Sequence, residues 1–135
     1  MLKQKVQYED FDGATQVETL YFNLNRMELI DLQARYGKED MAKHIEKLVE
    51  DKDIEKVYVI LNDIVISAYG VRSEDGKRFI KNDQIREEFK QSLAYDALIE
   101  DFHDESRKVL EAFITGITAH IRGINKAENA VSAVQ

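Results

Sequence analysis

Residues 54–69 hold the strongest constraint on the fold. Read as a helix, they place Ile54, Val57, Tyr58, Leu61, Ile64, Val65 and Ala68 on one stripe, and Val59, Ile60 and Ile66 are apolar outside it. A helix that is apolar most of the way round belongs at the centre of a fold, so the rest of the chain has to cover it. Asp53 suits its N-cap. The chain contains no proline, so nothing breaks this helix or its neighbours from within.

The covering elements follow from the same periodicity. Asn25-Arg26-Met27-Glu28 resembles a capping box and starts a helix to about Tyr36, stopped by Gly37. A second helix is expected over 39–51, with Met41, Ile45, Leu48 and Val49 on one stripe. A short charged helix over 83–91 carries Ile85 and Phe89. Ser92 caps a helix over 93–103 with Tyr95, Leu98, Ile99 and Phe102. Asp104 is positioned to cap the last helix, where Leu110, Phe113, Ile114, Ile117, Ile121 and Ile124 recur at helical spacing. Gly116 and Gly123 weaken its far end, and residues 125–135 read as a flexible tail.

Residues 3–9 and 15–23 alternate with period two on either side of Asp12-Gly13, the pattern of a β-hairpin. Its second arm is apolar on both faces towards Leu24. A two-stranded hairpin is marginal alone in water, so helices one and three are expected beside it. The fold class is therefore mainly α (α+β): a small N-terminal β-hairpin followed by a bundle of about five to six helices. One domain over 1–124 is expected, with 125–135 as its tail.

Several functions are disfavoured. The 26 acidic and 19 basic residues give a formal charge of −7, the wrong sign for a duplex nucleic-acid ligand. No apolar run approaches the ~20 residues of a membrane helix, and Met1–Lys5 does not lead into a signal-peptide block. Without cysteine there is no thiolate chemistry, disulfide or cysteine-based zinc site. His44, His103 and His120 lack the spacing of a shared metal site, and structural roles are expected for them, with His103 at a helix end. Asp10 and Asp12 imitate a calcium loop only briefly, since Tyr21 falls where the closing glutamate belongs. No serine sits in a nucleophile elbow and no glycine-rich loop can cradle phosphate. No catalytic residue, metal or cofactor is expected.

Tyr8, Phe11, Tyr21 and Phe22 crowd into the hairpin, which cannot bury them all. Two readings stand: the rings pack on helices, or they form a docking surface. A protein-binding role is assigned to these four together with Phe113, Ile117 and Ile121.

Ala68–Asp83 links the two helical halves. Gly70 suits a left-handed position closing the third helix, Asp75-Gly76 suits a tight turn, Phe79-Ile80 returns an apolar anchor, and Asn82 or Asp83 caps the next helix. This connector, the opening Tyr8-Glu9-Asp10-Phe11-Asp12-Gly13, and Leu20-Tyr21-Phe22-Asn23-Leu24 resemble the tail assembly chaperones of long-tailed (siphovirus-type) bacteriophages and prophages. Arg86-Glu87-Glu88-Phe89 and Ala112–Ile117 continue the order, so the resemblance covers about residues 1–118; residues 125–135 do not align. It implies an assembly factor and not an enzyme. Its expected partners are the tape measure protein, tail tube subunits, a longer frameshifted form of itself and further copies of itself, in the cytoplasm of the infected or lysogenic host. The factor would be absent from the finished virion and bind neither nucleic acid nor membrane. The rival reading is a generic helical adaptor or regulator unrelated to tail assembly.

Overall fold

The computed structural model describes residues 1–37 and 40–134, with side chains up to Ile124. An N-terminal hairpin precedes six helices, as the periodicity predicts, and a second small hairpin interrupts the helices. The chain divides into two compact units: Met1–Asn23 with Ala68–Phe113, and Leu24–Ser67 with Ile114–Gln135.

In the first unit, β1 (Leu2–Glu9) and β2 (Thr15–Phe22) pair antiparallel from Leu2↔Phe22 to Glu9↔Thr15. Val6, Leu20 and Phe22 face inwards. β1 lies along α5 (Leu93–Phe102). α5 can do this because Ala94 and Ala97 keep that helix slim beside Leu98 and Phe102, all four buried. Phe22 bridges to Tyr69, and the Asn23 N–H donates to the Ala68 carbonyl at 2.8 Å. β3 (Val71–Arg72) and β4 (Phe79–Ile80) then form the second hairpin. Ser92 caps α5, and Asn82 caps α4 (Asp83–Lys90). The core is aromatic: the Phe22 ring meets Phe113 edge-on at 5.5 Å, and Tyr69 stacks on Phe89 at 3.7 Å.

Gly70 does not close a helix in the left-handed region. The glycines with positive φ are Gly13, Gly37 and Gly76. Gly70 is buried, and a Cβ there would lie 2.6 Å from Phe79 Cε2 and 2.9 Å from the Ile80 carbonyl oxygen. Close approach, not backbone handedness, requires glycine.

In the second unit, α1 (Arg26–Tyr36) opens on a complete capping box between Asn25 and Glu28 and ends on left-handed Gly37. α2 (Met41–Glu50) is capped by Asp40; its expected start at residue 39 lies outside the described residues. Met41, Ile45 and Leu48 are buried, but Val49 is 39% exposed. α3 (Ile54–Ala68) buries Val57, Ile60, Leu61, Ile64, Val65 and Ala68 while Val59 is 65% exposed. It is therefore one-sided, with Ile60 on the buried stripe, rather than apolar and covered all round. α6 (Lys108–Val134) begins after Arg107, which has φ +54°. Asp104 does not cap it: its carboxylate accepts from the Ser106 hydroxyl inside the preceding turn. The α6 backbone continues through Val134 into the stretch read as a tail, whose side chains and last residue lie outside the described residues.

Candidate protein-docking site

Between residues 7 and 19 no residue is buried. Beyond Val6 and Leu20 the hairpin is thus an arm without a cover of its own. Asp10 fixes its turn: Oδ1 accepts from the Asp12 and Ala14 amides at 2.9 Å each, and Oδ2 accepts from Gln16 Nε2 at 2.8 Å. The bond from Gln16, with those from the backbone, holds the Asp10 carboxyl below its ordinary range. These contacts explain Asp10-Phe11-Asp12-Gly13 as turn chemistry. Phe11 stands at the tip, 91% exposed, and Val17 is 64% exposed. A two-stranded arm bearing such groups gains little by itself in water.

The base of the arm forms one wall of a cleft of about 500 Å³. Glu18, Thr19, Leu20 and Tyr21 line that wall, and Tyr69 through Glu74 with Gly76 line the opposite one. The two walls meet at the Phe22–Tyr69 bridge. Tyr21 is half-buried; the Arg72 guanidinium lies 4.7 Å from its ring centroid and Lys3 Nζ lies 6.0 Å away. Both are cation–π contacts, and Lys3 is the cross-strand partner of Tyr21. Opposite, Asp75 accepts from the Ser73 hydroxyl (2.6 Å) and the Lys77 amide (3.0 Å), which pins the β3–β4 turn. Burial and neighbouring Glu18 and Glu88 push the Tyr69 phenol up.

Of the residues assigned a binding role from sequence, Phe11 is at the tip, Tyr21 is in the cleft, and half-buried Tyr8 lies on the arm with its hydroxyl towards Glu18. Phe22 and Phe113 are buried in the aromatic core of the first unit. Ile117 and Ile121 are buried in the second unit. In this conformation those four side chains are part of the buried core. Arg72 in the cleft and exposed Val17 on the arm lie beside this set but outside the sequence assignment. Period-two alternation along β2 puts Val17 and Tyr21 on the same face, the signal that could mark Val17; nothing local marks Arg72.

The histidines are dispersed. His103 Nδ1 lies 2.8 Å from the Ile99 carbonyl at the end of α5, the helix-end role expected of it. His120 Nε2 faces the Leu24 backbone and accepts its N–H at 3.1 Å. Among the described residues no group of three or more His, Asp and Glu side chains could hold a metal ion, and no helix is long and apolar enough to cross a membrane. The arrangement offers an exposed arm and, at its base, a mixed-charge cleft.

A sequence model of the family described as phage tail assembly chaperone matches residues 1–129. No curated protein and no solved structure gives a match.

Proposed function

Because the chain belongs to the phage tail assembly chaperone family, we propose that it binds the tape measure protein, keeps it soluble and helps bring tail tube subunits to it. It acts without catalysis or cofactor, in the cytoplasm of the bacterial host, and leaves before the virion is complete. It works alongside further copies of itself and a longer frameshifted form.

The observation that carries this reading is the uncovered arm with Phe11 at its tip. A long helical client exposes apolar stripes along its length, and many weak contacts from repeated copies can cover them. Aromatic anchors supply much of the energy in such contacts. Tyr8, Phe11 and Tyr21 are the accessible members of the proposed binding set; Phe22, Phe113, Ile117 and Ile121 would join it only by leaving the core.

The test is affinity purification of the tagged chain during tail assembly, followed by analysis of finished particles. Tape measure and tube proteins should copurify with the chain, and the chain should be missing from virions. Finding it as a stoichiometric virion component would overturn the proposal.

A further inference from the structure

We propose that the cleft is a slot for an added β-strand, filled by an extended, lysine- or arginine-bearing segment of the tail tube subunit. Among the described residues β2 pairs only with β1 in its sheet and β3 only with β4, so each keeps an open edge. These edges are the walls of the cleft, and they part from the single bridge at Phe22 and Tyr69. Alternation fixes which backbone groups face outward. The Asn23 N–H turns to the Ala68 carbonyl, so Thr19 and Val17, in step with it along β2, present their backbone groups to the same side. On the opposite wall the Ser73 N–H turns to the Arg78 carbonyl of its own hairpin, so Arg72 presents its N–H and carbonyl away from β4. Neither bulge, proline nor lysine blunts the β2 edge, which pairs with β1 without a break from Thr15 to Phe22. An edge in this state is a template for a further strand.

The occupant follows from backbone and charge. A helix satisfies its own N–H and carbonyl groups, so the helical tape measure client gains nothing from open edges, whereas an extended segment gains a ladder on both sides. A recruiting protein needs two different surfaces. With the arm tip assigned to the tape measure protein, the cleft serves the tube subunit. Glu18 and Glu74 stand on opposite walls against Arg72, whose guanidinium already lies 4.7 Å from the Tyr21 ring centroid. Lys3 reaches that ring from β1, the paired side of β2. The carboxylates of Glu18 and Glu88 both act on the Tyr69 phenol beside the bridge. A basic side chain on the added strand therefore meets net negative charge, and an acidic one is repelled. β2 runs into the bridge and β3 runs out of it, so the added strand is antiparallel to one and parallel to the other. It joins both hairpins into one sheet. This assignment rests on the tube recruitment in the proposed function but can fail separately from it.

The test uses the isotope-labelled full chain and, as probes, overlapping synthetic peptides that tile the tail tube and tape measure proteins. Tube peptides that bind should be basic, move the amide resonances of residues 17–21 and 70–74, and slow hydrogen exchange at the Thr19 and Arg72 amides. Thr19→Pro removes an outward N–H from the edge, and Glu18→Lys with Glu74→Lys reverses the charge of the walls. Each variant should weaken the best peptide at least about tenfold, with circular dichroism checking the fold. N-methylation of alternate peptide amides should do the same with the protein untouched, and it decides the matter if a variant fails to fold. Unchanged affinity for the methylated peptide or the folded variants, resonance shifts outside the cleft, or acidic peptides binding as well would overturn the slot. Tape measure peptides binding there instead would overturn the choice of occupant. Capture of intact tube protein by the immobilised chain with no tube peptide bound would overturn an extended segment as the ligand and leave recruitment standing. Failure to capture intact tube protein would overturn recruitment itself.

Discussion

Replacing Gly70 with alanine would put a methyl carbon into space already filled by the β3–β4 hairpin. The new Cβ would stand 2.6 and 2.8 Å from two Phe79 ring carbons and 2.9 Å from the Ile80 carbonyl oxygen. The ring can rotate aside and lose packing. The carbonyl belongs to the Val71↔Ile80 ladder and moves only if that ladder opens. Overpacking of this kind costs roughly 1–3 kcal/mol, and the backbone obstacle places Gly70→Ala towards the upper end. Urea unfolding followed by circular dichroism reads the cost, and a double-mutant cycle with Phe79→Ala divides it. In the Phe79→Ala background the penalty should fall without vanishing, because Ile80 remains. A Gly70→Ala protein within about 0.5 kcal/mol of wild type would refute the close-approach argument. An equal penalty in both backgrounds would show that the ring is not the obstacle.

Leu61, 1% exposed on α3, should cost roughly 2–5 kcal/mol when cut to alanine, and an unchanged urea midpoint would place α3 at the surface. The Tyr36 phenol, which donates to Asp63 Oδ2 at 2.8 Å, is pushed up to about 12, mainly by burial and then by that carboxylate. A raised value means its contribution to stability is whole below the ordinary 10.0 and is lost as pH rises towards 12. Tyr36→Phe should therefore flatten the alkaline loss of stability and remove one late-titrating phenol from an ultraviolet titration; an unchanged titration would contradict this. EDTA should leave the thermal midpoint unmoved, since a bound ion would add stability by linkage; a drop of several degrees would reveal a carboxylate site.

Local rules carried the sequence reading where the deciding groups lie close together in the chain. The Asn25–Glu28 box, left-handed Gly37, and the Asn82 and Ser92 caps are settled within a few residues, and the structure has all of them. Periodicity also located the hairpin and the helices. It could not say which of several apolar faces would be covered, so Val49 stands more exposed than its stripe implied, Ile60 is buried although outside its stripe, and Val59 is exposed on a helix that reads as apolar most of the way round. The contact of β1 with α5 joins elements more than 80 residues apart in the chain, which no local signal encodes. Gly70 was misread for the same reason: its constraint comes from Phe79 and Ile80, nine and ten residues on. At the candidate site, crowding of aromatics in the hairpin singled out exposed Phe11 and half-buried Tyr21 and Tyr8, but the same crowding also singled out Phe22, which lies in the core. Composition cannot tell a ring that packs inwards from one that waits for a partner; register can.

The central claim is that this chain keeps a tape measure protein soluble. Co-expression of that protein with and without the chain and its longer form tests it most directly, by the fraction that remains in the supernatant after lysis and centrifugation. The account predicts a large rise in soluble tape measure protein with the wild-type pair and a smaller one with Phe11→Ala, whose binding should weaken by about 1–2 kcal/mol or more. Equal insolubility with and without the pair would contradict it.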